Sequence, residues 1–290
     1  MSDDVIDELA QREARTLDAW LAAARLRLST HTGPMPPRFI AENVKTMAAY
    51  MGMTPAAADA LAPAMALSQM FLPSAYSSDP ENFRDIRARL PHSSMIVRDG
   101  VASVAEHPQL VYAAFHMTGF PLVAAMLVPA VFDVHGSRGH VLVAQRNAAW
   151  LTSDAGRWVS EIADVIWTDS RGLRQLHAGL HDGTIRRLLI LVDGPHRPGQ
   201  GTHPLMRQAP TLGFKTGLLR RLIDMGIPVL PVTHRWADDR LDIEWHPLLP
   251  SSSDDAVATT AGLIESLLQR HPEQWNNWPA ARAALTPRPA

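Results

Sequence analysis

The spacing of hydrophobic side chains changes near residue 94. Before that point, three stretches carry apolar residues at helical spacing: 3–28, 39–50 and 54–90. Thr54 precedes Pro55, a pair typical of a helix N-cap followed by the first helical residue. The pattern therefore predicts a helical N-terminal region over residues 1–90, packed on the rest of the chain.

Short apolar runs alternate with helical segments after residue 94. Six of these runs fit buried strands: 95–97, 110–115, 141–144, 165–167, 188–192 and 229–232. Such alternation is typical of α/β folds, in which buried strands are continuously apolar. Residues 239–245 alternate as an edge strand would, and residues 260–269 predict a late amphipathic helix. We expect an α/β core over residues 91–285, a central mixed sheet flanked by helices, forming one structural domain with the helical region.

Composition removes several classes of function. The 290 residues include 27 basic and 29 acidic side chains. No run of five like charges occurs, so no nucleic-acid surface is predicted. The chain has no cysteine. This excludes disulfides, thiolate metal sites and a cysteine nucleophile, and fits a reducing compartment.

The apolar stretch at residues 110–134 is long enough to be compared with a membrane span. It contains His116, Gly119, Pro121 and Pro129, whereas a span needs about 20 predominantly apolar residues. A buried strand followed by a buried helix explains the stretch better. The acidic start of the chain does not resemble a signal or transit peptide. We expect a cytoplasmic protein with at most peripheral contact with the inner membrane.

His116 is the first candidate for chemistry. It ends the apolar run at 110–115, Gly119 permits a tight turn after it, and Pro121 suits the first turn of a helix. Sites in open α/β sheets lie at the carboxyl ends of strands, and imidazole is a natural general base near neutral pH. A buried, hydrogen-bonded histidine at a strand end is the structural alternative.

Asp193 is a second polar residue at the end of an apolar run. It follows residues 188–192 and enters a Gly/Pro loop that carries His196 and Arg197. A carboxylate in this position would orient a base, bind a substrate hydroxyl or cap the turn. The segment alone does not choose among these roles.

Arg146 leaves the run at 141–144, where its guanidinium would stabilise an oxyanion or bind the phosphate of a donor. A surface ion pair is the alternative.

His177 and His181 have metal-ligand spacing on a predicted helix, but no third ligand is adjacent, so no metal site is predicted. The chain also lacks the G-x-S-x-G, P-loop and G-x-G-x-x-G motifs of common hydrolases, NTPases and dinucleotide-binding proteins.

Taken in order, these segments resemble the bacterial late lipid A acyltransferases of the lysophospholipid acyltransferase-like superfamily. The sequence FHMTGFPL around His116 occupies the place of the family's His-x4-acid motif, VAQRN ends in Arg146 and Asn147, and LVD ends in Asp193. Three further segments are similar to the family's glycine-containing entry strand, its threonine-bearing helix with the following strand, and its closing Pro-Glu-Gln-aromatic segment: 96–100, 209–232 and 271–278. The resemblance is collinear over about residues 35–285, but residues 3–28 lack the character of the family's membrane-anchoring helix.

The resemblance implies acyl transfer from a thioester, on acyl carrier protein or coenzyme A, to a hydroxyl or amine of a small or lipid-like acceptor. No bound cofactor is expected. His116 would be the general base, Arg146 would stabilise the oxyanion or bind the donor, and Asp193 would orient the base or the acceptor. Substrate binding is assigned to four further residues: Arg197, His196, Thr211 and Lys215.

The chain departs from the family at Pro121, which stands where the acid of the His-x4-acid motif is expected. Loss of the orienting carboxylate in an acyl-transfer triad costs about 10⁴ in rate. Three interpretations remain. Asp193 or another neighbour such as Asp133 replaces the acid; the acceptor is a better nucleophile; or the fold is kept by a non-catalytic accessory protein that binds an acyl chain or carrier protein. Hydrolysis of the same thioesters is a further hypothesis.

Overall fold

The computed structural model describes residues 38–66, 95–97, 107–117, 139–143, 160, 163–205, 211–237 and 240–285. Within these ranges the helices are α1 (Arg38–Met51), α2 (Pro55–Ala66), α3 (Ser170–His181), α4 (Gly217–Asp224), α5 (Ser253–Arg270) and α6 (Trp278–Leu285). A 3-10 turn, Pro272–Gln274, lies between α5 and α6. The strands are β1 (Met95–Val97), β2 (Leu110–Ala114), β3 (Gly139–Val143), β4 (Ala163–Trp167), β5 (Arg187–Leu191), β6 (Pro195–His196), β7 (Thr202–Leu205), β8 (Leu212–Lys215), β9 (Val229–Ala237) and β10 (Arg240–Trp245).

Seven of the strands form one mixed sheet in the order β1-β10-β9-β2-β5-β3-β4. Strands β9, β2, β5, β3 and β4 are parallel, β10 is antiparallel to β9, and β1 is parallel to β10. The predicted α/β class with a mixed sheet is therefore confirmed. Strands β6, β8 and β7 form a separate antiparallel sheet directly after β5 in the chain.

Several predicted elements agree with the structure. The helix expected at 39–50 is α1, and α2 begins at Pro55, where the Thr54 hydroxyl accepts a hydrogen bond from the Ala57 amide at 3.3 Å. All six apolar runs contain strands of the large sheet. The late helix α5 is longer than the expected 260–269. The predicted helix at 3–28 and the helical segment at 67–90 lie outside the described residues.

Two expectations about local structure were wrong. Strand β10 does not form the edge of the sheet, because β1 pairs with it and places Met95 opposite Ile243. Ile243 is fully buried, so the alternation along β10 does not mark an exposed edge. Thr211 does not lie on a helix: β8 begins at the next residue, and the following helix begins at Gly217. The small sheet was missed because β6 is two residues long and β7 contains a proline, so neither has a readable alternation.

Alternation along β2 divides its side chains between the two faces of the sheet. Val111, Ala113 and Phe115 join the hydrophobic cluster formed with α1, α2 and α5. Tyr112 points to the opposite face, where its ring meets Trp245 edge-on with centroids 5.9 Å apart. The alternation continues beyond the strand, because Met117 also belongs to the cluster. His116 is thereby left on the face opposite the cluster.

Strand β2 accounts for the first part of the apolar stretch at 110–134, as predicted. The buried helix expected after it falls on residues 118–134, which lie outside the described residues. In the part of the chain that the structure describes, no helix has both the length and the apolar character needed to cross a membrane.

Candidate active site

His116 and Asp193 meet because β2 and β5 are adjacent and parallel. Their register places Ala114 opposite Leu191, and the Val192 amide donates to the Ala114 carbonyl at 3.1 Å just beyond the strands. Two residues beyond the Ala114–Leu191 pair, the segment after β2 reaches His116 and the segment after β5 reaches Asp193. The same level of the sheet is therefore reached by His116 on one strand and Asp193 on the other, at the carboxyl edge where α/β sheets carry their sites.

The Asp193 carboxylate binds both the ring and the backbone of His116. His116 Nδ1 lies 2.7 Å from Oδ1, and the His116 amide donates to Oδ2 at 2.8 Å. An ionised carboxylate only accepts hydrogen bonds, so Nδ1 carries the proton in this pair. Nε2 is then the ring nitrogen that would take a proton from another molecule.

Burial differs sharply between the two partners. The Asp193 side chain is 1% exposed, whereas the His116 side chain keeps 30% of its surface exposed. The carboxylate is therefore a structural anchor, and the imidazole is the member of the pair that an incoming molecule can reach. In catalytic triads, a buried acid orients a reactive base in the same way.

The segment after the 3-10 turn holds this pair from the other side. Trp275 donates its indole N–H to Asp193 Oδ2 at 2.7 Å, and the Asn276 amide donates to the His116 carbonyl at 2.7 Å. The Asn277 side-chain amide donates to the Asp193 carbonyl at 3.3 Å. Trp275 and Met117 also form an isolated antiparallel β-bridge. Residues 275–277 thus contact both strand ends.

Asp193 is charged at neutral pH despite its burial. Burial alone would raise the pKa of the carboxyl, but its electrostatic interaction with His116 opposes this effect. Hydrogen bonds from the His116 ring and amide and from Trp275 lower it further, so the pKa of Asp193 lies below its usual value. The carboxylate is thus kept ionised by donors that compensate for its burial.

His234 is a third polar residue at this level, supplied by β9. The β2–β9 register places Ala113 opposite Pro231, and three further residues along each strand lead to His116 and His234. His234 is 2% exposed, and its Nε2 donates to the Met117 carbonyl at 3.2 Å.

Burial lowers the pKa of His234 to about 4, against the opposing effects of the Met117 carbonyl and the Asp193 charge. The electrostatic interaction with His116 lowers it as well. At neutral pH the site therefore contains a neutral, buried imidazole beside the His116–Asp193 pair. Sequence reasoning missed His234, although it stands after an apolar run as His116 and Asp193 do.

The four residues assigned to substrate binding lie on or beside the small sheet. His196 is half-buried in β6, and Arg197 follows it on the surface. Strand β8 pairs with β6, placing Gly213 opposite His196. Thr211 stands just before β8, and Lys215 is the exposed last residue of that strand. The structure thus brings His116 and Asp193 into contact and puts these four residues on the segments that follow Asp193.

The remaining residues of the sequence hypothesis, Arg146, Pro121 and Asp133, lie outside the described residues. In the described ranges no group of three His, Asp or Glu side chains is arranged to hold a metal ion. The arrangement that is present can accept a proton at His116 and stabilise the resulting imidazolium with Asp193. Its chemistry is that of an oriented general base.

No protein-family model matches this chain, and no match is found among curated proteins. The likeness to the lipid A acyltransferases consequently rests on the order of the motifs in the sequence. The geometry of His116 and Asp193 stands independently of that likeness.

Proposed function

We propose that the protein is an acyltransferase with the lysophospholipid acyltransferase-like fold. It moves an acyl group from a thioester of acyl carrier protein or coenzyme A to a hydroxyl or amine acceptor. The observation that carries the proposal is the 2.7 Å contact between His116 Nδ1 and Asp193 Oδ1. It supports the interpretation in which Asp193 replaces the acid that Pro121 removes.

In the proposed reaction, His116 Nε2 takes the proton of the acceptor as the acceptor attacks the thioester carbonyl. Asp193 stabilises the imidazolium that forms, as the acid of an acyl-transfer triad does. The tetrahedral intermediate then collapses, the carbon–sulfur bond breaks, and the imidazolium returns the proton to the departing sulfur. The products are the acylated acceptor and a free thiol.

The other assignments follow from this reaction. Arg146 would stabilise the oxyanion or bind the donor. Arg197, His196, Thr211 and Lys215 would bind substrate from the small sheet and the loops around it. The acceptor would be small, or a lipid reached by peripheral membrane contact.

Thiol release from acyl-coenzyme A and from acyl carrier protein tests the proposal. The purified protein is incubated with each donor, with and without candidate alcohols and amines, and products are analysed by mass spectrometry. His116→Ala is expected to abolish release, whereas His177→Ala, a change on the exposed face of α3, should retain it.

Each other outcome has a distinct meaning. Thiol release that survives His116→Ala would contradict a histidine base. Release of free fatty acid in the presence of every acceptor indicates hydrolysis. Saturable binding of donor without turnover indicates the accessory role.

A further inference from the structure

The Asp193 carboxylate is held by an aromatic side chain as well as by His116. Its Oδ2 atom accepts hydrogen bonds from the His116 amide at 2.8 Å and from Trp275 Nε1 at 2.7 Å. The carboxylate side chain is 1% exposed, so water cannot readily replace a lost donor. Because Oδ2 is fixed by two donors, rotation of the carboxylate is restricted and Oδ1 is left directed at His116 Nδ1.

The indole of Trp275 is itself held rigidly. Trp275 is 1% exposed, and its ring meets Trp278 edge-on, with centroids 4.8 Å apart and planes at 89°. The Trp275 amide also donates to the Pro272 carbonyl at 3.3 Å. The indole cannot turn away from Asp193 without displacing fully buried side chains.

Trp278 provides an internal comparison. It is also fully buried, but its indole N–H donates to the Pro272 carbonyl at 2.6 Å, within its own segment. Two neighbouring tryptophans therefore have similar burial and different hydrogen-bond acceptors. Packing alone would not explain why one of them reaches the carboxylate that orients the candidate base.

We infer that Trp275 is a positioning residue: its indole N–H holds the Asp193 carboxylate in the orientation that places Oδ1 against His116 Nδ1. Its effect on catalysis rests on the proposed function, whereas its effect on the His116 hydrogen bond does not. The neighbouring backbone contacts support the same role, because the Asn276 amide binds the His116 carbonyl at 2.7 Å.

The low-field ¹H NMR signal of the proton between His116 and Asp193 tests this inference without substrate. The signal is assigned by its loss in His116→Ala. In Trp275→Phe it is expected to shift upfield and to exchange faster with water, because the carboxylate gains freedom to rotate. In Trp245→Phe, which removes a buried indole that packs on Tyr112 instead, it should stay in place.

Thiol release provides the functional measurement. Trp275→Phe should lower kcat by about ten- to a hundredfold, the range expected for one hydrogen bond to a charged group, with KM nearly unchanged. Trp245→Phe should retain kcat and KM per folded molecule.

Replacing Trp275 by benzothienylalanine separates the hydrogen bond from packing, because this residue keeps the shape of the indole and lacks the N–H. It is expected to reproduce the NMR change even if Trp275→Phe fails to fold. An unchanged low-field signal with benzothienylalanine at 275, or an equal change in Trp245→Phe, would overturn the inference. If the signal changes in the variants at 275 but the wild-type protein releases no thiol, the positioning role is supported and the proposed function is rejected.

Discussion

Asp193 follows His116 by 77 residues and grips it at two points, with one carboxylate oxygen at the ring nitrogen and the other at the backbone amide. The two contacts fix the tautomer and the direction of the imidazole together. Trp275 and residues of the segment after it hold the same pair from a third element. The candidate base is therefore oriented by parts of the chain that are distant in sequence.

Asp193→Asn is expected to lower the rate of acyl transfer by about 10⁴, the cost of the corresponding change in an acyl-transfer triad. The asparagine NH₂ group is a donor, so it must face one of the groups that donate to the Asp193 carboxylate: the His116 ring, or the His116 amide and the Trp275 indole. Thiol release per folded molecule measures the effect. Asp224→Asn, an exposed change at the end of α4, serves as the control, and equal rates for both variants would contradict the role of Asp193.

His234 predicts a pH-dependent loss of stability between about pH 6.5 and 4. The pKa of His234 is about 4 in the folded protein and 6.5 in the unfolded chain. Between these two values the unfolded chain binds a proton that the folded protein does not bind. Stability is therefore complete above pH 6.5 and falls by about 3 kcal/mol on acidification to pH 4. Urea unfolding at several pH values measures this loss.

His234→Gln keeps a donor for the Met117 carbonyl and removes the titrating group. The slope of unfolding free energy against pH should become smaller between pH 6.5 and 4. His181→Gln, which changes an exposed histidine of α3, should leave the wild-type slope. Identical slopes in all three proteins would show that His234 does not carry the dependence.

Asp193 predicts a second and more acidic window. Its folded pKa lies below the usual 3.8, so its stabilising contribution is present above about that pH and is lost as the pH falls through the lower folded value. Wild-type protein should lose this contribution below pH 4, and Asp193→Asn should show a flatter curve there. Unfolding monitored between pH 4 and 2 distinguishes the two; parallel curves would argue against a stabilised carboxylate.

Arg146→Ala is expected to lower kcat by about 10²–10³ if the guanidinium stabilises the oxyanion. A rise in KM for the donor with unchanged kcat would instead assign Arg146 to donor binding. Arg146→Lys keeps the charge and loses the planar pair of donors, so it separates the two roles. Steady-state thiol release against donor concentration measures both constants, and no change in either would remove Arg146 from the site.

Two glycines predict opposite effects on stability. A Cβ at Gly172, in the first turn of α3, would meet the Trp167 carbonyl oxygen at 2.0 Å, so Gly172→Ala should destabilise the fold by about 1–3 kcal/mol. Gly262 lies in α5 with open space around it, and Gly262→Ala should stabilise by about 0.5–1 kcal/mol. Thermal unfolding compares the two, and a stabilising Gly172→Ala would contradict the close contact between α3 and β4.

The hydrophobic pattern was sufficient to predict six buried strands of the large sheet, together with His116 and Asp193, which follow two of them. Burial on both faces makes a parallel strand continuously apolar, and this mark is local, so β2 with His116 and β5 with Asp193 were both readable. The place of β10 was not readable in this way, because whether a strand is covered depends on a distant neighbour, here β1. Thr211 was misplaced because the short strand β8 is too brief to show a period.

The arrangement of the site depended on strand order. His116, Asp193 and His234 lie on three separate runs, and only the β9-β2-β5 pairing and its register bring them to one level. The choice of Asp193 as the partner of His116, left open among several carboxylates by the motif, follows from that adjacency. The contact of Trp275 with Asp193 arises in the same manner, because packing across the fold joins residues whose local patterns carry no information about each other.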